Sequence, residues 1–423
     1  MNLKPLLWLT AIISASITGN VMAKEITAWV IDAKIERPFF VQLEKAFNEK
    51  YAHEDVTVKI EPIPGYNDAI QAAWMSNDMP DLIMIDGPNM ANYVWSGMIK
   101  PIDKMVSQDT LDQFLPGLIQ QGTYSPTKRI YMLADGDSSV ALWANKKYLK
   151  EAGVEIPKTL KEAWTYEEFT QVLEKLSKVD GVEWPLDLKR NYDGEWNTYG
   201  FYPWVKSDGG DIINQETWKA GGTINSQETI DALEKIQSWV KKGYVVPPTA
   251  GDNRFYGDKS AALSWVGNWM WVPHSESLGD DLVLIPAPKF GQQTYSPNGS
   301  WGWAVPSTTT NDEEIGKFLN FALSKEQVAE WSRYTGYIPA RKDALSLVPM
   351  YAKNGPMHIL AEQAQHIALV RPVHPAYPVI SGEFGKAVKN ILDGADVKKS
   401  LDKAAKVIDN DIEDNMGYPP FNK

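Results

Sequence analysis

Ile26-Thr27-Ala28-Trp29-Val30-Ile31, Val56-Thr57-Val58-Lys59-Ile60 and Asp81-Leu82-Ile83-Met84-Ile85 are three short apolar runs rich in β-branched residues. Between the first two, Phe39, Leu43, Ala46 and Phe47 recur at helical spacing, with Pro38 near the start of that stripe. Between the second and third, Asn67 to Met75 forms another stripe, with Ile70, Ala73 and Trp74 inward. The third run is continuously apolar between Pro80 and Gly87-Pro88, as a parallel strand covered on both faces requires. This strand–helix order predicts an open α/β sheet. Ligands bind such sheets beyond the carboxyl ends of their strands. Asp32 and Lys34 follow the first strand, and Asp86 and Asn89 the third, so all four are candidate ligand residues.

A second unit starts near Asp135-Gly136-Asp137. Val140 to Trp143, Ala261 to Trp265 and Leu282 to Ile285 read as its strands, the last closed by Pro286-Ala287-Pro288. Thr165 and Glu168 have capping-box spacing before the stripe Phe169, Val172, Leu173 and Leu176. Residues 184–222 are loop-rich and aromatic. Two C-terminal stripes, Phe384-Val388-Ile391 and Leu401-Ala405-Ile408-Ile412, predict a helix pair.

The chain has 423 residues, no cysteine and a formal charge of −12. Its length suggests two or more domains. The charge argues against nucleic acid and anionic membrane surfaces as partners. Met1 to Ala23 reads as a signal peptide: Lys4, then a mostly apolar Leu6–Ile17, then Val21-Met22-Ala23 as a small-x-small cleavage site. Cleavage is expected after Ala23, and export to the periplasm follows from that. Without a cysteine there is neither a disulfide nor a lipid anchor on a cleavage-site thiol.

Trp265-Val266-Gly267-Asn268-Trp269-Met270-Trp271 and Trp301-Gly302-Trp303 set indole rings beside turn residues. Rigid flat rings at the ends of strands suit a flat ligand such as a pyranose, whose C–H face meets the negative face of an indole. Five segments resemble the family-1 solute-binding proteins of ABC importers, the maltose-binding-protein-like group. They are Trp74 to Ile83, with Asn77 where the family has glycine; Ser96 to Asp103; Ala144-Asn145-Lys146 through Pro157-Lys158-Thr159; Thr335 to Arg341; and Leu392 to Leu401. The resemblance implies a two-lobe periplasmic binding protein fold of type II-like α/β class. Three crossings are expected near Leu133–Asp137, Leu284–Pro288 and Gly336–Arg341. Residues 24–134 plus 289–339 would form the N-terminal lobe, and 135–288 plus 340–423 the C-terminal lobe. Ligand would sit between them.

The same resemblance places Trp269 and Trp301 on the sugar, with Ser300 where the family has a second glycine. Trp303 shares a strand face with Trp301. Trp265 and Trp271 are expected to pack. Asp32 and Lys34 match a polar pair after the family's first strand, and Arg371 with Tyr377 resembles a segment that reaches the cleft. Asp135 and Asp137 lie at the first crossing, as ligand or turn residues, while Asp81 is expected to make local structural bonds. The implied function is delivery of a neutral mono- or oligosaccharide to inner-membrane permease subunits with a separate ATPase, by a monomer without metal or cofactor. Other small solutes, such as a glycerol phosphodiester or a polyamine, stay open. A carbohydrate-active enzyme is the remaining rival. No Gly-x-Ser-x-Gly elbow, His-Glu-x-x-His pattern or phosphate-binding glycine loop supports an enzyme.

Overall fold

The computed structural model describes residues 24–291, 293–299 and 301–420. The expected signal peptide lies outside these. Two separate sheets organise the chain. The first has six strands: Lys24–Ile31, Val56–Ile63, Leu82–Asp86, Ile99–Lys100, Met132–Ala134 and Trp301–Pro306. Lys24–Ile31 pairs in parallel with both Val56–Ile63 and Leu82–Asp86, as the alternating strand and helix pattern requires. Trp301–Pro306 enters antiparallel, with Trp301 opposite Asp86 and Trp303 opposite Met84. Helix Arg37–Tyr51 covers this sheet with Phe39, Phe40, Leu43 and Phe47.

Helix Tyr66–Ser76 buries Tyr66, Ile70 and Ala73. It closes on Asn77 at φ 57°, whose backbone N–H caps the carbonyls of Ala73 and Trp74. Asparagine tolerates this left-handed cap, so it can replace the glycine of the related motif. Asp81 accepts from the Thr27 N–H and hydroxyl, the Thr309 hydroxyl and the Asn311 amide. It ties three segments together and is structural.

The second sheet runs in the order Trp184–Asp187, Ala261–Gly267, Val140–Asn145, Leu282–Ile285. The Thr165–Glu168 capping box forms, and Phe169, Val172, Leu173 and Leu176 are buried. Trp265 is fully buried, stacks on Trp204 and donates from Nε1 to the Gly200 carbonyl at 2.8 Å. The C-terminal helices Tyr377–Leu392 and Val397–Asp414 pack together beside this sheet's helices.

The connections between the sheets fall later than the expected lobe boundaries at 289 and 340. Phe290 packs against Trp204, Trp239 and Tyr166, and Ser296 is hydrogen-bonded to both backbone groups of Val140. Residues 289–291 and 293–298 therefore stay with the second sheet, and the chain rejoins the first at Trp301. Beyond Pro339, Arg341 donates to the Leu323 carbonyl, and Leu115 N–H donates to the Ala340 carbonyl, which keeps this stretch on the first lobe. Isolated contacts without periodicity, the Phe290 ring at one boundary and the Arg341 and Ala340 hydrogen bonds at the other, decide both.

Gly136–Asp137, at the first connection, pairs antiparallel with Ile338–Pro339 in one ribbon. A Cβ on Gly136 would stand 2.7 Å from the Trp331 Nε1 and 2.9 Å from the Ile338 carbonyl oxygen. Asn268 Nδ2 donates to the Asp137 and Gly336 carbonyls, each at 3.2 Å, and so joins this ribbon to the second sheet. No described helix is long and apolar enough to cross a membrane.

Candidate functional site

A cavity of about 410 Å³ lies where the two sheets and their connections meet. The first lobe contributes Ile31, Ala33, Ile35 and Glu36 after the first strand, Asp86 at the end of the third, and Trp301. The second contributes Tyr192, Glu195, Trp196 and Tyr199 from the aromatic loop region, and Trp269. Ser138, Gly299, Tyr337 and Arg371 close the remaining side.

Strand ends explain the tryptophans. Trp301 begins the antiparallel strand that pairs with Asp86, so it sits at the carboxyl end of the parallel strands. Its ring lies 5.7 Å from Tyr66. Trp303 is two residues deeper in the same strand. It is fully buried between Phe40 and Phe318, and it belongs to the core rather than to the ligand site. Trp269 follows the Ala261–Gly267 strand, its ring 6.2 Å from Trp196 and perpendicular to it, and 6.0 Å from Tyr199. A Cβ on Gly267 would fall 1.9 Å from the Trp269 ring, so glycine lets that ring fold back over the strand end.

Arg371 is 5% exposed and central. Its Nη1 donates to Glu195 Oε1 at 2.6 Å, its Nη2 lies 3.8 Å from Asp86 Oδ1, and its guanidinium covers the Tyr199 ring at 5.0 Å. Glu195 also accepts from the Tyr377 and Ser381 hydroxyls. A Cβ on Gly299 would meet the guanidinium at 2.1 Å, so the backbone must be bare there. Burial pushes Asp86 up to about 6 despite Arg371, with the Glu195 charge adding to the rise.

Asp137 is buried at the first connection. Its carboxyl accepts from Asn298 Nδ2, Gly299 N–H and Ser138 N–H, so it frames the cavity from behind. Burial raises it to about 6 against those bonds. Asp135 is buried beside the Trp303 indole, and burial lifts it to about 7 against the pull of that indole N–H.

Of the residues expected at the ligand, Asp86, Trp269, Trp301 and Arg371 come together on the wall. Asn89 and Tyr377 line a neighbouring chamber of about 390 Å³ that shares Glu195 with the main cavity. Asp32 accepts from Arg37 Nε at 2.5 Å and borders a side groove with Trp301. Lys34 is exposed and lies off the cavity wall.

The model of the bacterial extracellular solute-binding protein family matches residues 42–357, about three quarters of the chain. The chain belongs to that family. Among its relatives, the maltotriose-binding protein of Pyrococcus abyssi is 24% identical over 87% of this chain and 79% of its own length. The sn-glycerol-3-phosphate-binding periplasmic protein UgpB of Escherichia coli O1:K1 is 24% identical over 69% of each. The solved cyclic alpha-maltosyl-1,6-maltose binding protein from Arthrobacter globiformis has the same fold, with a TM-score of 0.77 over 92% of this chain and 99% of that one, at 20% identity. The chain thus has the two-lobe fold, and the ring-lined cavity lies between its lobes.

In this solute-binding protein the wall residues Tyr192, Glu195, Trp196, Tyr199, Glu36 and Tyr337 escaped the sequence reading. The first four fall in the aromatic stretch 184–222, whose composition was the available signal. Tyr337 falls in the Thr335–Arg341 segment expected at the third crossing, and Glu36 carried no signal.

Proposed function

We propose that the protein is the periplasmic substrate-binding component of an ABC importer, and that it takes a neutral mono- or oligosaccharide into the cavity between its lobes. One observation carries this reading: Trp301 from one lobe and Trp269 with Tyr199 from the other border a single cavity that also holds the Asp86, Glu195 and Arg371 side chains. Indole and phenol faces suit the C–H faces of a pyranose, and the carboxylates and guanidinium suit its hydroxyls. The malto-oligosaccharide names of relatives agree with it. The adjoining chamber at Glu195 leaves room for a further sugar unit.

Arg371, the one Lys or Arg among the described residues that line the cavity, is already paired with Glu195 and stands beside Asp86, which disfavours a glycerol phosphate. Closure of the lobes on the sugar would create the surface that permease subunits read, with hydrolysis of ATP left to another subunit. The chain would act as an exported monomer after cleavage at Ala23, and would transform no bond. Isothermal titration against a sugar panel that includes glucose, maltose, maltotriose and glycerol 3-phosphate tests the ligand. Heat release with a neutral sugar and an unchanged sugar on chromatography support the reading. Binding of the phosphate alone, or turnover of a glycoside, would sink it.

A further inference from the structure

Glu36 stands out among the wall residues. It is 5% exposed, it lines the cavity, and its Oε2 has no hydrogen-bond partner among the described residues. It sits at the N-terminal end of helix Arg37–Tyr51, yet its side chain makes no capping bond. The carboxyl meets acid and phenol rather than a cation: Asp135 from the first connection and Tyr337, just before Ile338–Pro339, interact with it. Across the cavity Asp86 is engaged with Arg371, and the adjacent Arg37 is paired with Asp32. A buried carboxyl oxygen without a partner costs free energy unless something supplies one. Glu36 lines the cavity, so a ligand closed between the lobes is placed to supply that partner.

We propose that Glu36 is a specificity-determining residue of this site: its carboxyl, on the cavity wall and without a protein cation beside it among the described residues, hydrogen-bonds ligand hydroxyls, and so favours an uncharged sugar over a charged one. The proposal rests on the sugar reading above. Burial, with the Asp135 charge adding, raises Glu36 to about 8, so the carboxyl is protonated at neutral pH and has both a donor and an acceptor to offer. An anionic sugar would bring its charge next to Glu36, with Asp135 behind it and no free cation among the described residues of that wall. A cationic one would force Glu36 to ionise beside Asp135.

Titration calorimetry with glucose, maltose and maltotriose as neutral probes, and with glucosamine and glucuronate as charged ones, tests this from about pH 6.5 to 9. The expected outcome is that Glu36→Ala weakens neutral-sugar binding about tenfold or more. Glu36→Gln, whose amide also donates and accepts, should recover most of that loss. Wild-type affinity should fall as pH rises through about 8, and the Gln variant should lack that fall. Binding by Glu36→Ala equal to wild type overturns the proposal. So does a Gln variant as weak as the Ala one, or a preference for glucosamine that strengthens with pH. Should the Ala variant fail to fold, the difference in pH profile between wild type and Gln decides. Absence of binding to every sugar by the wild type overturns the sugar reading and this one with it; sugar binding unaffected at position 36 overturns this one alone.

Discussion

Tryptophans at or near strand ends in this protein carry different burdens. Trp269 is half-buried and borders the cavity, while Trp303 is sealed between Phe40 and Phe318. Replacing Trp269 by Ala should weaken sugar binding by at least about 1 kcal/mol, on the scale of aromatic contacts, and leave the far-ultraviolet dichroism intact. Unchanged affinity in calorimetry would reject its stacking role. Trp303→Ala should show the reverse: about 3–5 kcal/mol less stability in urea, from the cavity it leaves, with affinity of the folded fraction kept. Sequence alone could not separate Trp301 from Trp303, because residues two apart in a strand share a face. The separation comes from depth along the strand, and only the partner register of Trp301 with Asp86 supplies that depth.

At the scale of elements, the Ala261–Gly267 strand and the turn after it show how backbone geometry sets a ligand wall. Gly267 leaves the space that the Trp269 ring occupies, and Asn268 binds the connecting ribbon. Gly267→Ala should therefore displace the ring and reduce affinity about as much as removing it, while the strand itself persists. A crystal structure of the variant with the ring unmoved would contradict this. The strands at Ile26, Val56, Asp81, Val140, Ala261 and Leu282 were legible because each is a bounded apolar run, and the helices because their stripes repeat at helical spacing. The wall elements Trp196–Tyr199 and Tyr337 were not, since they are short and irregular and no period marks them.

Across the whole molecule, three buried carboxyls stand at or beside the junction of the lobes: Glu36, Asp135 and Asp137. Their folded pKa values rise to about 8, 7 and 6. A carboxyl with a raised folded pKa binds more protons in the native state than in the unfolded one. Its contribution is fully present below the unfolded value, near 4, and is lost as pH climbs through the folded value. Stability should thus decline between about pH 4 and 8 on account of these groups, and Asp135→Asn should flatten the part of that decline that ends near 7. Melting temperatures of both proteins across that range check it; parallel profiles would show that Asp135 keeps no buried proton. Ligand closure belongs to the same scale. A neutral sugar should contract the protein in small-angle scattering, and equal radii with and without sugar would argue against hinge closure.

The sequence by itself determined the α/β class, the order of strands and helices, and the presence of rings where strands end. Those properties are written in periodicity and punctuation, which are local. It also placed Trp269, Trp301, Asp86 and Arg371 among the candidates. Only the tertiary structure decided that Phe290 belongs to the second lobe and Arg341 to the first, that Lys34 stays in solvent, and that Glu195 and Glu36 enter the wall. Each of these depends on contacts between segments far apart in the chain, such as Glu195 with Arg371, Tyr377 and Ser381. No local pattern encodes such a meeting, because the free energy that fixes it is the burial of both partners at once.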